Sequence, residues 1–548
     1  MPLHHIKFIA LGCKHLVAVK IVQFDDILCF CCPVWTIKCP LSTCEVHFAI
    51  DILNSINADT NEESDMSAQP LYDIDQPEAA LRPTLETLKS AFLTIPNPSA
   101  GMRIERLQRL HSALLAYQDR LIDAVDQDFN GRSSAETLMI ELLPILEGIH
   151  YNKKNLRKWM KPSRRKTPLM LFGAKTKVHY QPLGVVGIVV PWNFPIFLGL
   201  SPLAGALAAG NLAMIKTSEF APKTGEVMKQ MISEYFTSDE VVVVNGGVEV
   251  ATEFTKLPFD HIVFTGSTQV GSIVMQAAAQ NLTPVTLELG GKSPAIIHED
   301  FPIEEAAKRI AFGKGLNAGQ VCVSPDYILV PNGKEDEFAE AFKNAISKHY
   351  PTMRDNPDYT SIITERQRDR LADNIADAKQ KGAEVMVINP ANEDFSGTRK
   401  LPMHVVKNVT HDMRVMREEI FGPILPLVPY ETLDDAIQYV QSKDRPLALY
   451  YFDWDQSRIE KVVENTHSGG VCINEVMTHT MVDDMPFGGV GPSGMGHYHG
   501  KEGFLNFSKA KSIVIKGRFD ASQYISAPWG NKMFNFFTNF QLNRLKKF

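Results

Sequence analysis

VTLELGGK (285–292) and GQVCVSP (319–325) bracket the stretch around which the chain is organised. In the first segment a carboxylate, Glu288, stands directly before a Gly-Gly turn, and in the second Cys322 lies in a loop that opens with a glycine. Residues 303–316 between them show helical spacing of apolar side chains, at positions 303, 306, 310 and 312. A thiol nucleophile and a distant general base have this form when a fold brings both into one pocket. Taken alone, the two residues are equally compatible with structural roles.

Length, composition and charge limit the class of protein. The chain has 548 residues, which corresponds to about three domains at roughly 100–200 residues each. Hydrophobic residues make up 44% and charged residues 22%, as in an ordinary globular protein. The net charge of -7 gives no basis for binding nucleic acid or an anionic membrane. The sequence has no run of about 18 apolar residues, so we predict no stable membrane insertion.

The first 66 residues differ in character from the rest of the chain. They contain six of the eight cysteines, whose spacing matches no common zinc site, and we predict no metal centre. Residues 54–65 are polar and are predicted to be disordered. We expect the functional protein to begin near Met66, with residues 1–66 as an extension outside the fold. The rest of the chain contains only Cys322 and Cys472, which fits a reducing compartment and favours a cytoplasmic location.

Long helices are predicted between residues 81 and 160. Ser99 is a candidate N-cap for the first, and the second is predicted over 134–159. A separate strand at 175–180 alternates in polarity and is predicted to serve subunit contacts. The apolar stripe of the first helix comprises Ile104, Leu107, Leu110, Leu114, Leu121, Ile122 and Val125.

From residue 185 onward, short apolar strands alternate with helices. Such alternation predicts an α/β fold with parallel sheets, in which ligands bind beyond the carboxyl ends of the strands. A first series has strands at 185–191, 213–216, 241–245 and 261–265, and helices at 202–211, 222–236 and 271–280. A second series has strands at 294–297, 327–330, 384–388 and 424–428, and helices at 303–316 and 371–381.

Three strand ends in the first series carry candidate binding residues. The turn GSTQVG (266–271) opens a helix, so its backbone can approach a phosphate, although the middle glycine of the usual dinucleotide fingerprint is absent. Asn193, within PWNFP, carries an amide that can donate to a developing oxyanion. Lys216 and Glu219 are candidates for binding a ribose or a phosphate. An ordinary turn or surface role remains the alternative interpretation of each.

Two further turns and the tail stand near the C-terminus. EIFGP (419–423) and PFGGVG (486–491) each have the composition of an ordinary loop. The aromatic tail from Trp529 to Phe548 ends in basic residues. We expect this tail to pack on a neighbouring surface; a peripheral membrane helix is the alternative.

Together these segments resemble the aldehyde dehydrogenase superfamily. The resemblance covers residues 80–517, and residues 1–66 have no counterpart in it. Its motifs follow the family order: PWNFP (191–195), KTSEFAP (216–222), FTGSTQVG (264–271), LELGGKSP (287–294), GQVCVSPDY (319–327), EEIFGP (418–423) and PFGGVGPSGMG (486–496). The contexts GQVCVSPDYILV and GMGHYHGKEGF are similar to the class 3 branch, and NLTPVTLELGGKSPAI is most similar to bacterial coniferyl aldehyde dehydrogenases.

The resemblance implies a role for each candidate residue. Cys322 would be the nucleophile, Glu288 the general base, and Asn193 with the Cys322 backbone N–H the oxyanion hole. The implied cofactor-binding set is Pro191 and Trp192 beside the cleft, Lys216 and Glu219 on the adenosine ribose, Gly266, Ser267 and Gly271 at the pyrophosphate and its helix, and Glu419 and Phe421 on the nicotinamide ribose and ring.

The resemblance also implies an aldehyde dehydrogenase-like α/β architecture. Its Rossmann-type NAD-binding domain would comprise 67–172 and 184–291, and its α/β catalytic domain 292–485. A small oligomerisation β-extension would comprise 173–183 and 500–517, with a tail over 518–548. Class 3 relatives are typically dimers, so we expect a homodimer.

The expected activity is the NAD(P)+-dependent oxidation of an aldehyde to its acid through a thiohemiacetal and a thioester on Cys322. The substrate would be aromatic, with coniferyl aldehyde as the leading candidate, or medium-chain aliphatic. Because Glu219 would meet a 2′-phosphate, NAD is expected ahead of NADP. One alternative is transfer of the acyl group to coenzyme A, against which Glu288 argues. The other is a non-catalytic binding protein, against which the presence of both Cys322 and Glu288 argues.

Overall fold

The computed structural model describes residues 37–38, 45–46, 77–168, 171, 173–518 and 526–547. Within the first 70 residues, the two-residue strands Ile37–Lys38 and Glu45–Val46 pair antiparallel. The expectations about the N-terminal cysteines, the polar segment 54–65 and a start near Met66 lie outside the described residues. The rest of the described chain forms a second unit, to which everything below refers.

The second unit consists of three sheets with helices packed around them. Its α-helices are Pro77–Thr94, Ala100–Phe129, Ser134–Thr137, Leu143–Trp159, Pro195–Ala209, Pro222–Tyr235, Val248–Lys256, Thr268–Ala279, Ile303–Gly315, Glu335–His349, Glu365–Gln380, Arg414–Arg417, Leu433–Gln441, Gln456–Asn465, Gly500–Asn506 and Lys532–Leu545. A π-helical turn spans Leu138–Leu142, and 3₁₀ turns span Leu316–Gly319 and Thr478–Met481. Each helix of the described part of the chain is too short or too polar to cross a bilayer.

The first sheet has six strands. In spatial order they are Gly494–Met495, Val285–Leu289, His261–Gly266, Val185–Val189, Leu212–Lys216 and Val241–Val244. All neighbours are parallel except Gly494–Met495, which pairs antiparallel with its neighbour. The neighbouring strands Val185–Val189 and Leu212–Lys216 are buried at every residue, as expected for a parallel sheet covered by helices on both faces. The strand order reverses beside Val185–Val189, which opens a ligand crevice at its carboxyl end.

The helix that follows the central strand is longer than the sequence predicted. It begins at Pro195 and contains Pro202, whereas the prediction took Pro202 as its first residue. A proline normally marks a first turn, which explains the shortened prediction. Gly205 of this helix permits close packing, because a Cβ there would lie 3.2 Å from the carbonyl oxygen of Tyr498.

The second sheet has seven strands. In spatial order they are Glu384–Ile388, Met403–Lys407, Ile424–Tyr430, Tyr327–Pro331, Pro294–Ile297, Ala448–Phe452 and Gly470–Ile473. Only the first pair is antiparallel. The sequence analysis located four of these strands and assigned none at 403–407, 448–452 or 470–473.

The third sheet is small and antiparallel, with the strands Ser163–Arg164, Lys175–Pro182 and Ser508–Ile515. The prediction of a strand at 175–180 outside the main sheets is therefore confirmed. The sequence predicted an NAD-binding domain, a catalytic domain and a small β-extension. The boundaries of these parts and the oligomerisation role of the extension stay predictions.

The helical predictions hold in most details. Ser99 caps its helix by accepting a hydrogen bond from Met102 N at 3.3 Å. The prediction for 303–316 is wrong in one respect, because Phe312 is 49% exposed and does not belong to the apolar face. The following Gly313 faces the core, since a Cβ there would lie 2.5 Å from Val476.

Adjacent leucines of the helix Ala100–Phe129 test the assigned core. Leu114 is 1% exposed and Leu115 is 51% exposed. Leu114→Ala should reduce the free energy of unfolding by about 2–5 kcal/mol because it leaves a cavity. Leu115→Ala, the matched control, should change that free energy by less than about 0.5 kcal/mol. Urea denaturation measures both, and equal losses would show that this face of the helix is wrongly assigned.

Candidate active site

Cys322 is presented by a tight left-handed turn after the helix Ile303–Gly315. Asn317, Ala318 and Gly319 have φ values of 49°, 50° and 75°. The third position requires glycine, since a Cβ there would lie 2.5 Å from the carbonyl oxygen of Gly422. Cys322 is a free cysteine of intermediate exposure as a whole residue.

Glu288 lies near the carboxyl end of the strand Val285–Leu289 and is 3% exposed. Neither of its carboxylate oxygens has a hydrogen-bond partner among the described residues. Burial without a partner raises the pKa of Glu288 well above its ordinary value. Burial therefore disfavours the carboxylate form of Glu288 relative to an exposed glutamate.

Cys322 and Glu288 lie close enough for their charges to interact. Burial, followed by the carboxylates of Glu419 and Glu288, raises the pKa of the Cys322 thiol to about 12. The backbone N–H groups of Cys322 and Val323 act in the opposite direction. Tyr498 belongs to this pocket as well: burial, then Glu288 and Cys322, raises the pKa of its hydroxyl. That hydroxyl has no partner within the described structure.

Asn193 reaches the cysteine turn from the other sheet. It is 3% exposed, and its Nδ2 donates to the carbonyl oxygen of Gln320 at 3.3 Å. Gln320 in turn fixes the turn through its own amide, which donates to Asn317 O at 2.9 Å and to Ser361 O at 3.0 Å. The predicted oxyanion donor and the predicted nucleophile thus lie on contacting loops.

The loop that carries Glu419 is anchored to the Gly-Gly turn. Lys292 forms an ion pair with Asp326 and donates to the carbonyl oxygens of Val415 and Glu418 at 2.7 Å and 3.0 Å. Asp326 also accepts from Ile420 N at 2.8 Å. These contacts hold the segment before Phe421 against Lys292, in the link that follows the strand of Glu288.

Glu419 itself packs against Gly290, where a Cβ would lie 2.1 Å from Glu419 Oε2. Burial and Asp326 raise the pKa of Glu419 to about 8, opposed by a hydrogen bond from Gly291 N–H. Phe421 has a φ of 50°, a strained value for a residue with a side chain. Its ring lies 5.3 Å from that of Trp192, edge to face.

The remaining predicted binding residues line the crevice of the six-stranded sheet. Pro191 follows its central strand, and Val190 N donates to Lys216 O at 2.9 Å. Lys216 is 1% exposed, and burial lowers the pKa of its ammonium group, opposed by Glu219. Lys216 Nζ donates to Thr217 O at 2.6 Å, while Glu219 is exposed.

A single residue, Ser267, separates the strand His261–Gly266 from the helix Thr268–Ala279. Ser267 is the N-cap of Thr268–Ala279 and accepts from Val270 N at 3.4 Å. Gly271 packs the first turn of this helix against the sheet, because a Cβ there would lie 2.6 Å from Leu289 Cδ2. The helix therefore starts directly over the strand that carries Glu288.

Sequence reasoning missed a buried ionic cluster beneath Asn193. Arg132 is 2% exposed, and its side chain forms ion pairs with Glu136 and Glu141. One signal was available: a cation directly before a helix N-terminus opposes the helix dipole, which indicates another role. The described residues contain no group of three or more His, Cys, Asp or Glu side chains arranged to hold a metal ion.

Comparison with known proteins identifies the family. The model of the aldehyde dehydrogenase family matches residues 70–513. The chain belongs to the aldehyde dehydrogenase family. It is 53% identical over 445 residues to a "Probable coniferyl aldehyde dehydrogenase" of Pseudomonas aeruginosa, covering 81% of this chain and 93% of that protein.

Two solved structures show the same fold. The substrate-bound state of Staphylococcus aureus AldH has a TM-score of 0.79 and 36% identity, covering 84% of this chain and 98% of that one. A Mycobacterium tuberculosis aldehyde dehydrogenase complexed with NAD+ has a TM-score of 0.73 and 28% identity, covering 81% and 92%. The predicted membership of this family, with its α/β fold, is confirmed.

The pH dependence of Cys322 alkylation tests the coupled pKa shifts. Because the thiol pKa is raised to about 12, alkylation by iodoacetamide should rise about tenfold per pH unit between pH 7 and pH 10. Glu419→Gln removes a carboxyl group whose pKa is about 8 and whose charge disfavours the thiolate. The variant should therefore react faster than wild type above pH 8 and equally below pH 7.

Peptide mass spectrometry measures the rate, with Cys472 as the internal reference. Identical wild-type and Glu419→Gln rates across the whole pH range would refute the coupling.

Proposed function

We propose that the protein oxidises an aldehyde to the carboxylic acid with NAD(P)+. The supporting observation is the convergence of three groups from distant parts of the chain. The free thiol of Cys322 lies within reach of the charge of the buried, unpaired Glu288, and Asn193 donates into the cysteine turn. This combination of a nucleophile, a base and an amide donor is what acyl chemistry on a thiol requires.

The residues present fit a dinucleotide. The N-terminus of Thr268–Ala279 offers backbone N–H groups and positive potential for phosphate, and Gly271 permits its close packing on the sheet. Lys216 and Glu219 would hold the adenosine ribose, Gly266 and Ser267 the pyrophosphate, and the loop of Glu419 and Phe421 the nicotinamide ribose and ring, beside Pro191 and Trp192. When bound, the cofactor supplies a positive charge that favours the Cys322 thiolate, and it accepts a hydride.

The first half of the reaction belongs to Cys322 and Asn193. The thiolate attacks the aldehyde carbon, and the carbonyl oxygen becomes an oxyanion. Asn193 Nδ2 and the backbone N–H of Cys322 would hold that oxygen, and such a donor contributes about 2.7–4 kcal/mol in other enzymes. Loss of hydride from the tetrahedral carbon leaves a thioester on Cys322.

The second half belongs to Glu288. In its ionised form it takes a proton from a water molecule, which attacks the thioester carbon. The C–S bond breaks, the cysteine regains its proton, and the carboxylic acid leaves. The overall balance is aldehyde, NAD(P)+ and water giving acid, NAD(P)H and a proton.

The proposed substrate class is aromatic aldehydes, with coniferyl aldehyde as the leading candidate. The similarity to the Pseudomonas aeruginosa protein supports this choice. Aromatic side chains around Tyr498 support it independently, since Phe487 stacks on His499 at 5.2 Å and meets Tyr498 at 6.1 Å. Medium-chain aliphatic aldehydes are the alternative substrates.

We further propose a cytoplasmic homodimer that pairs through the three-stranded sheet. Its outer strand exposes Val514 and Ile515 at 54% and 48%, which suits a subunit contact. The domain division predicted from the sequence agrees with this assignment of the small sheet.

Substitution of the nucleophile and the base separates the two half-reactions. Cys322→Ala should abolish aldehyde-dependent NADH formation. Glu288→Gln should retain one turnover of NADH and lose steady-state turnover roughly 10²–10⁴-fold, because only thioester hydrolysis needs the base. Stopped-flow absorbance at the NADH band measures both.

Two outcomes would favour the rival functions. Activity that survives in Cys322→Ala would reject the cysteine mechanism, and an inactive wild type would favour a non-catalytic binding protein. Formation of acyl-coenzyme A in place of free acid would favour the acyl-transferring alternative.

The charge of Glu219 is predicted to set the cofactor preference. In Glu219→Gln, the ratio of kcat/KM for NADP+ to that for NAD+ should rise severalfold, since a 2′-phosphate no longer meets a carboxylate. Asp239→Asn, an exposed carboxylate before the amino end of the strand Val241–Val244, is a control for surface charge. An unchanged ratio would remove Glu219 from the ribose site.

A further inference from the structure

Arg132 occupies an unusual position, fully buried directly beneath the proposed oxyanion donor. Its side chain has no exposed surface, and its guanidinium lies over the rings of Phe129 and Phe194 at 5.1 Å and 4.7 Å. Burying a guanidinium is expensive unless its charge and hydrogen bonds are matched. The contacts of Arg132 therefore indicate what the cation is there to hold.

The main contact of Arg132 is a backbone carbonyl. Its Nη1 donates to Asn193 O at 2.8 Å. The same oxygen accepts a second hydrogen bond from Asn317 Nδ2 at 3.2 Å. Two donors from different parts of the chain thus fix the peptide group of the residue whose side-chain amide would bind the oxyanion.

The two carboxylates paired with Arg132 bind the segments on either side of this contact, the cysteine turn and the helix after Asn193. Glu136 accepts from Asn317 N at 2.7 Å, at the start of the turn that carries Cys322. Glu141 accepts from Ile196 N and Phe197 N at 2.8 Å and 3.0 Å, at the start of the helix after Asn193. Burial raises the pKa of both carboxyl groups, and Arg132 opposes that rise.

One guanidinium thus connects the two halves of the proposed oxyanion hole. On one side it holds the loop of Asn193, and on the other, through Glu136 and Asn317, the turn of Cys322. The Asn193 loop follows a strand of the six-stranded sheet and the cysteine turn precedes a strand of the seven-stranded sheet, so contacts such as this bridge help to fix their separation. A displacement of about 1 Å at a reacting group costs up to about 10²-fold in rate.

We infer that Arg132, assisted by Asn317, is a positioning residue that holds the Asn193 amide at the carbonyl oxygen of the reacting aldehyde. This inference rests on the proposed aldehyde oxidation. It adds that the geometry of the donor depends on a cation that touches neither substrate nor cofactor.

The test is Arg132→Lys, which keeps the charge but loses the guanidinium Nη1 that donates to Asn193 O and lies 3.3 Å from Glu141. Wild-type enzyme must first show Cys322-dependent oxidation of coniferyl aldehyde, so a failure of the proposed function is recognised separately. We expect kcat to fall roughly 10–100-fold. The KM for NAD+ should stay within about twofold, because none of the contacts of Arg132 within the described residues involves Lys216, Glu219 or Ser267.

A double-mutant cycle with Asn193→Ala distinguishes positioning from general damage. If Arg132 acts through Asn193, Arg132→Lys should lower kcat less than about twofold when Asn193 is already alanine. An undiminished loss in the Asn193→Ala background would overturn the inference, as would an unchanged kcat in the single variant.

Arg103→Lys is the matched control. Arg103 is 1% exposed, and its Nη1 donates to Ala209 O at 2.6 Å. Ala209 is the last residue of the helix Pro195–Ala209, whose first turn is bound by Glu141. Arg103→Lys should lower thermal stability while leaving kcat within about twofold of wild type. A loss of kcat equal to that of Arg132→Lys would show that any buried arginine change is sufficient.

Asn317→Gly provides a second route if Arg132→Lys fails to fold. Asn317 has a left-handed φ of 49°, which glycine adopts without strain, so the change removes mainly the side-chain donor. It should lower kcat in the same Asn193-dependent way. A wild-type kcat in a folded Asn317→Gly protein would contradict the inference.

Discussion

Four residues, 290–293, join the two large sheets, and the site depends on this short connection. Leu289 ends the last parallel strand of the six-stranded sheet, and Pro294 begins a central strand of the seven-stranded sheet. Such a short link forces the carboxyl end of one sheet against the other. Gly290 lets Glu419 approach the backbone, and Lys292 binds the loop of Glu419 through Asp326 and two carbonyl groups. Glu288, just before the link, is thereby placed in the pocket of Cys322.

Cys322 and the two carboxyl groups whose charges act on it, those of Glu288 and Glu419, all have raised pKa values. Burial raises the pKa values of Glu288, Cys322 and Glu419, and so disfavours the charged form of each group. A permanently ionised thiolate would react with oxidants and electrophiles at random. A thiol that ionises only when positive charge arrives couples chemistry to cofactor binding. The buried Arg132 is different, because its charge is matched by two acids and serves geometry rather than proton transfer.

The spacing of apolar residues was sufficient to predict most of the helices. Short continuous apolar runs were sufficient to predict the buried strands that consist of them. The strand Ala448–Phe452 was missed, although it is buried at every residue, because its aromatic residues gave no clear boundary or alternation. Phe312 was assigned to the wrong face because apolar spacing alone does not show which side of a helix meets the core. Family motifs led to Cys322, Glu288 and Asn193 being singled out together. The supporting cluster around Arg132 escaped because its hydrogen bonds to Asn193 and, through Glu136, to Asn317 join residues 61 and 181 positions apart, which the local charges at 132, 136 and 141 do not reveal.

The central claim is that Cys322 carries the oxidised acyl group, and direct observation of that group is the most direct test. Glu288→Gln protein would be mixed with coniferyl aldehyde and NAD+, quenched in acid within one turnover, and digested for peptide mass spectrometry. The account predicts an acyl adduct on the peptide of Cys322, appearing with the NADH and absent when NAD+ is omitted. NADH formation without an adduct at Cys322, or an adduct on Cys472 instead, would contradict it.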